Sequence, residues 1–302
     1  VQFLSEELNR LTLKYGNADQ IGWVPEIEAY GMEWADVYFG LRGAHNLDVF
    51  WDIPSEKLSL LRKGMGQIST LRWQKTRWCL LRVPNAAFAQ QAGADEETIT
   101  DMFFNACLLD WPTVSQEWCK WAEVLNQGKQ VRVVGKGTDL SFSIEGRTWD
   151  VADGHWNMPD GEIATAPVES SLNGSIYFNY PGVLGGRLVH DIRLSWENGR
   201  LVNASSSTNQ DFLQSILKTD AGASLIGEFA IGTNPEVKHF CKDILIDEKI
   251  DGTIHIALGR AYPKVGGTNQ SSIHWDIIKD MRQEGEIFLD GKLIYQNGKM
   301  LL

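Results

Sequence analysis

Two textures of hydrophobic and polar positions follow one another along the chain. Up to about residue 128, helix-type spacing alternates with short apolar runs. Leu4–Tyr15 is amphipathic, with Ser5 ahead of Glu6 and Glu7 as an N-cap. Ala35–Leu41 reads as a strand leading into Arg42-Gly43-Ala44-His45-Asn46, and Ser55–Ser69 as a helix. Trp78–Val83 is a continuous apolar run stopped by Pro84, as in a buried strand. Helices are predicted over Asp95–Leu108, whose Asp-Glu-Glu start suits a helix N-terminus, and over Thr113–Asn126, with Gly128 as C-cap. Beyond residue 128 short strands dominate: Val131–Val134, Leu140–Ile144 and Ile176–Phe178. Asn173-Gly174 and Asn198-Gly199 read as hairpin turns, the second joining Leu188–Trp196 to Arg200–Ser205. Asp211–Leu217 is a helix capped by Thr208 or Asn209, and Glu286–Leu302 a small meander turning at Asp290-Gly291 and Asn297-Gly298. The fold class is therefore α/β (α+β overall). Residues 1–128 form an N-terminal α/β domain, and residues 129–302 a β-rich domain with a mixed sheet.

One stretch, Asp247–Met281, concentrates the chemistry. Thr253–Leu258 alternates like a strand around His255. His274 and Asp276 stand at i and i+2, so in an extended segment imidazole and carboxylate share a face. Both are ordinary ligands of first-row metals. The competing reading is a core histidine and an aspartate that caps a helix over Ile277–Met281. Tyr262 and the Gly266-Gly267 loop lie between the two histidines, and this company favours a site. Glu228 sits in an apolar strand, where an unpaired carboxylate is costly. A metal or a salt bridge would offset that cost. Glu162, after Pro159-Asp160-Gly161, reads more readily as a turn carboxylate, Glu248 and Lys249 as a surface pair, and His45 as a loop residue.

The chain has 302 residues, enough for two domains, and 43% hydrophobic with 22% charged residues is ordinary for a globular protein. A formal charge of −11 argues against nucleic acid or an anionic membrane as partner. Four scattered cysteines without metal spacing read as thiols in a reducing compartment, so a cytoplasmic protein is expected. No apolar run approaches the roughly 20 residues of a membrane helix, and no signal peptide is visible. The twelve tryptophans have no reading beyond core and interface.

The strings NMPDGEIATAPVE, IGEFAIGTN, DEKIDGTIHIALGRAYP and SSIHWDIIKDM resemble the aminopeptidase T / aminopeptidase S family of bacterial metallo-aminopeptidases, over most of residues 84–302. The resemblance implies a pair of divalent metal ions, zinc or cobalt, with ligands at Glu162, Glu228, His255, Tyr262, His274 and Asp276. It implies a homodimer, a site in the C-terminal domain, and peptide substrates with a free N-terminus. Metal-activated water would attack the first peptide bond. A glutamate near the metals would act as base, for which Glu248 is the candidate, and Tyr262 would bind a metal or the oxyanion. The family's N-terminal domain is longer, so a shortened one is expected here. Two alternatives stay open. His255, His274 and Asp276 also suit a mononuclear Fe(II) triad, as in the similar 2,5-dihydroxypyridine dioxygenases. An inactive binding relative is the third reading.

Overall fold

The computed structural model describes residues 3–46 and 48–302, without the side chains of Ser55 and residues 72–75. Two compact units emerge. One comprises residues 1–97 with 156–158, and the other residues 98–155 with 159–302.

The first unit is α/β. Val37–Arg42 and Arg77–Arg82 pair in parallel, and Asn157–Met158 adds a third parallel strand. Ser5 caps Glu6–Tyr15 by accepting from the Leu8 N–H, as its position before two glutamates predicts. The long helix Ser55–Lys75 extends well past Ser69, because no proline or glycine pair stops it.

The second unit holds two large antiparallel sheets around one core, and a two-stranded one of Gly182–Leu184 and Arg187–Val189. The eight-stranded sheet has at its centre Thr138–Ser143 beside Gln130–Gly135, and it runs out through Glu286–Leu289 to the C-terminal strands Lys292–Gln296 and Lys299–Met300. The predicted tail meander is thus its edge. Its turns use Asp290 and Asn297 with positive φ, each followed by glycine. Asn173-Gly174, expected as a turn, instead opens the strand Asn173–Tyr177, because Asn198-Gly199 makes the reversal and Asn173 Oδ1 accepts its N–H. Leu188–Trp196 is broken in two, at Arg187–Val189 and Arg193–Glu197. The helix Trp111–Leu125 ends at Asn126, before Gly128.

The five-stranded sheet carries the chemistry. In chain order its strands are β1 (Asp150–Ala152), β2 (Glu162–Thr165), β3 (Ile226–Gly232), β4 (Thr253–Gly259) and β5 (His274–Asp280). They lie side by side in that order, each antiparallel to the next. Ile277–Asp280 is therefore strand, and the helix-capping reading of Asp276 is removed. Strand β5 forms because Trp275 and Ile277 face the core while β4 supplies a full backbone ladder from Thr253 to Gly259.

All seven residues of β3 and of β4 are buried, yet their two faces differ completely. One face, with Phe229, Ile231, Ile254, Ile256, Leu258, Trp275 and Ile277, joins the core shared with the eight-stranded sheet and the helix Trp111–Leu125. Phe229 meets Phe142 of the opposite sheet at a ring distance of 5.0 Å. The other face carries Glu228, His255, His274 and Asp276, separated by Ala230, Gly232, Ala257 and Gly259. Period-two alternation therefore delivers hydrophobic burial on one side and ligating groups with small spacers on the other.

Candidate metal centre

Register builds the site. Ala257 of β4 pairs with both Glu228 of β3 and Asp276 of β5, so the two acids flank a methyl group on one face. His274 pairs with Gly259, and His255 lies two residues from Ala257 on the same face. Glu162 opens β2 opposite Gly232. It is a strand carboxylate, not a turn carboxylate. A Cβ on Gly232 would lie 2.2 Å from the Ile250 carbonyl, so only glycine permits this close approach of β3 to the turn before β4.

Two groups of three donors result: Glu228, His274 and Asp276, and Glu162, Glu248 and His255. Within each, one ligand atom per residue lies within 4.8 Å of the others. In the first group His274 Nε2 is 3.1 Å from Glu228 Oε2 and 3.4 Å from Asp276 Oδ1. Its Nδ1 is 2.7 Å from the Arg260 carbonyl. That partner accepts the Nδ1 proton and leaves the Nε2 lone pair facing the carboxylates, the outer bond that commonly orients a ligating histidine. In the second group His255 Nε2 is 3.3 Å from Glu162 Oε2.

Charge and burial fit these donors to cations. Asp276 Oδ1 and Glu162 Oε2 are buried and make no hydrogen bond among the described residues. Such atoms are costly without a positive partner. Burial alone would lower the His274 pKa, but Asp276 and Glu228 raise it well above the imidazole range. Asp276 is held down at about 2: burial works upward, and His274 overrides it.

Tyr262 follows β4, its ring 5.0 Å from that of His274, and remains 39% exposed. Its phenol is pushed up to about 12, first by burial, with Glu228 and Asp276 adding to the shift. The loop from Tyr262 to His274 is tied down at two points. Glu169 accepts from Thr268 and Asn269 while pairing with Arg147, and Asp220 accepts from Ser271 and Ser272.

Glu248 and Lys249 are not a surface pair. The Glu248 side chain is 13% exposed, Lys249 is fully buried, and both turn toward Glu162. They follow the helical turn Ile244–Asp247, whose Asp247 carboxylate is spent on the backbone N–H groups of Cys241 and Asp243. Glu248 therefore joins Glu162 and His255. Lys249 is the residue that sequence reasoning missed, because a charged pair after a short helix reads as solvated. His45 lies in a loop of the first unit.

A family model for thermophilic metalloproteases (M29) matches residues 1–300. The chain belongs to this family. The metalloprotease is 24% identical to aminopeptidase AmpS of Bacillus subtilis, over 99% of this chain and 85% of that protein. It is 31% identical to aminopeptidase T of Thermus thermophilus, over 54% of this chain and 45% of that protein. The solved structure of wild-type AmpT from Thermus thermophilus has the same fold, with a TM-score of 0.87 at 22% identity, covering 100% of this chain and 86% of that one. These relatives are named aminopeptidases, which gives the ring-cleaving dioxygenase reading no support. Membership in a metalloprotease family implies divalent metal, and the two donor groups are chemically suited to hold it. No helix among the described residues is long and apolar enough to cross a membrane.

Proposed function

We infer that the protein is a metal-dependent aminopeptidase that removes N-terminal residues from peptides. The observation that carries this reading is the pair of adjoining donor groups on one sheet face, with buried carboxylate oxygens that lack hydrogen-bond partners among the described residues. Glu228, His274 and Asp276, with Tyr262 beside them, would hold one ion, and Glu162 and His255, with Glu248 beside them, a second. Zinc or cobalt suits this mixture of imidazole and carboxylate. When bound, such ions lower the pKa of water and polarise the scissile carbonyl.

The chain's own residues supply the rest. Glu248 stands in the donor group of Glu162 and His255. A carboxylate so placed can take a proton from the attacking water and return it to the leaving amine. Tyr262 keeps its proton at neutral pH and is partly exposed, so it can donate to the developing oxyanion or use the same oxygen as a ligand. The excess of carboxylates favours a substrate end that bears a positive α-amine.

The test is release of N-terminal residues from short peptides before and after chelation. Loss of activity on chelation and its return with divalent metal support the reading, and full activity in metal-stripped protein sinks it. The protein is further proposed to be a homodimer. Phe3, Ile27, Trp34 and Trp51 of the first unit, each at least 75% exposed, supply apolar surface for such an interface. Light scattering that gives a monomer at working concentration refutes this. A cytoplasmic location is proposed on the four cysteines, which form no disulfide among the described residues.

A further inference from the structure

Lys249 has no part in the chemistry above, yet it is built into the site. Its ammonium nitrogen lies 2.6 Å from Glu162 Oε1, 2.7 Å from Glu248 Oε1 and 3.5 Å from Asp160 Oδ1, and its side chain is fully buried. A lysine ammonium carries three N–H donors and no acceptor. The Glu162 and Glu248 oxygens lie at hydrogen-bond distance, and Asp160 Oδ1 is a longer ion-pair contact. With no exposed surface the ammonium cannot touch a substrate, so it acts only through its neighbours.

The backbone holds it there independently. The Lys249 carbonyl accepts the Asn234 N–H at 2.9 Å. The Asn234 side-chain amide donates to the Asp160 carbonyl at 2.8 Å and to the Ala106 carbonyl at 3.2 Å. Gly161, between Asp160 and Glu162, has φ +128°, and a Cβ there would lie 2.7 Å from the Asn234 Cβ. Lysine, asparagine and the Asp160–Glu162 turn therefore form one fixed assembly.

The consequence concerns which oxygen of Glu162 remains available. Lys249 takes Oε1. Oε2 is left buried, without a hydrogen-bond partner among the described residues and 3.3 Å from His255 Nε2. We propose that Lys249 is a positioning residue of the metal subsite formed by Glu162 and His255: it holds one oxygen each of Glu162 and Glu248, so that Glu162 Oε2 stays turned toward an ion at His255. This rests on the metal reading above. It also makes a prediction opposite in sign to simple electrostatics. Coulomb repulsion alone says that removing a buried cation tightens metal binding. Loss of an orienting partner weakens it, by about 10–100-fold for residues of this kind.

The test is titration of metal-stripped protein with Co2+, followed by the visible absorption of the bound ion and by calorimetry. The binding event abolished by His255→Ala identifies the subsite. In Lys249→Met that event is expected to weaken by about 10–100-fold, with the other event unchanged and cooperative unfolding retained. Equal or tighter binding at that subsite overturns the proposal. Should Lys249→Met fail to fold, Lys249→Arg decides, because its flat fork cannot present three donors from one atom. Weakened binding at the same subsite then supports the proposal, and wild-type affinity there overturns it. A wild-type chain that binds no Co2+ overturns the metal reading together with this proposal. Wild-type binding with both Lys249 variants unaffected overturns this proposal alone.

Discussion

Replacing Glu169 by glutamine is expected to loosen the loop that joins Tyr262 to His274. Glu169 Oε1 accepts from Thr268 N–H and Oγ at 2.8 Å and from Asn269 N–H at 3.0 Å, while Oε2 pairs with Arg147 at 2.7 Å. Both side chains of the pair are mostly buried, at 10% and 17% exposed. Burial pushes the Glu169 pKa up, but the backbone and hydroxyl donors and Arg147 together bring it below the ordinary carboxylate value. In the Glu169→Gln variant an amide NH2 must face either Arg147 or the two loop N–H groups, so donors confront donors. Hydrogen bonds to charged groups are worth about 1.5–3 kcal/mol each, and breaking one side of a buried pair costs about 3–5 kcal/mol. Partial retention of the Oε1 contacts lowers the expected loss to about 3 kcal/mol. Urea unfolding of the metal-free protein reads this loss directly. Because the depressed pKa favours the folded state only above the unfolded value, the wild-type advantage should fade as pH drops below the ordinary glutamate range. A variant as stable as wild type at neutral pH would refute the clamp.

Three further predictions concern other residues. Asp276→Asn keeps the shape of the side chain but removes a ligand charge, so metal affinity should fall at least about 100-fold, or about 3 kcal/mol, with circular dichroism unchanged; metal analysis showing normal occupancy with unchanged turnover rules Asp276 out as a ligand. Burial lowers the Lys279 pKa to about 8, with its ammonium on the Tyr177 and Lys136 carbonyls. The unfolded chain therefore binds more protons between about pH 8 and the ordinary lysine value, and stability should rise with pH across that window by roughly 2 kcal/mol. Unfolding curves of Lys279→Met should lose that slope, and an unchanged slope assigns it elsewhere. Gly161→Ala should cost about 3 kcal/mol, because φ +128° and the Asn234 Cβ both exclude a side chain; a normal melting temperature would contradict that geometry.

Much of this site is legible in the chain because its information is local. Alternation around His255 and the i, i+2 spacing of His274 and Asp276 are properties of single strands, and strands β4 and β5 bear them out. Ser5 and the Asn198-Gly199 turn are local in the same sense. Lys249 is different. Its partner Glu162 lies 87 residues away, and nothing within a short window says that the pair is buried. Strong turn residues conceal Glu162, since Pro159-Asp160-Gly161 precedes a strand that only pairing with β3 reveals. The helix Trp111–Leu125 has the texture of the first half, yet it packs Trp118, Ala122 and Leu125 into the core of the β-rich unit. Periodicity indicates that a helix has an apolar face but not which layer receives it. The change of texture near residue 128 therefore does not coincide with the division of the units at 97/98.

The proposed function centres on two ions held by two donor groups on one sheet face. Elemental analysis of chelator-free protein, paired with peptide turnover on the same samples, tests them most directly. Two divalent ions per chain are expected, with one lost in His255→Ala, one in Asp276→Asn, and turnover falling in both. Wild-type protein that turns over peptides with no bound metal, or that keeps both ions after either substitution, would contradict the mechanism.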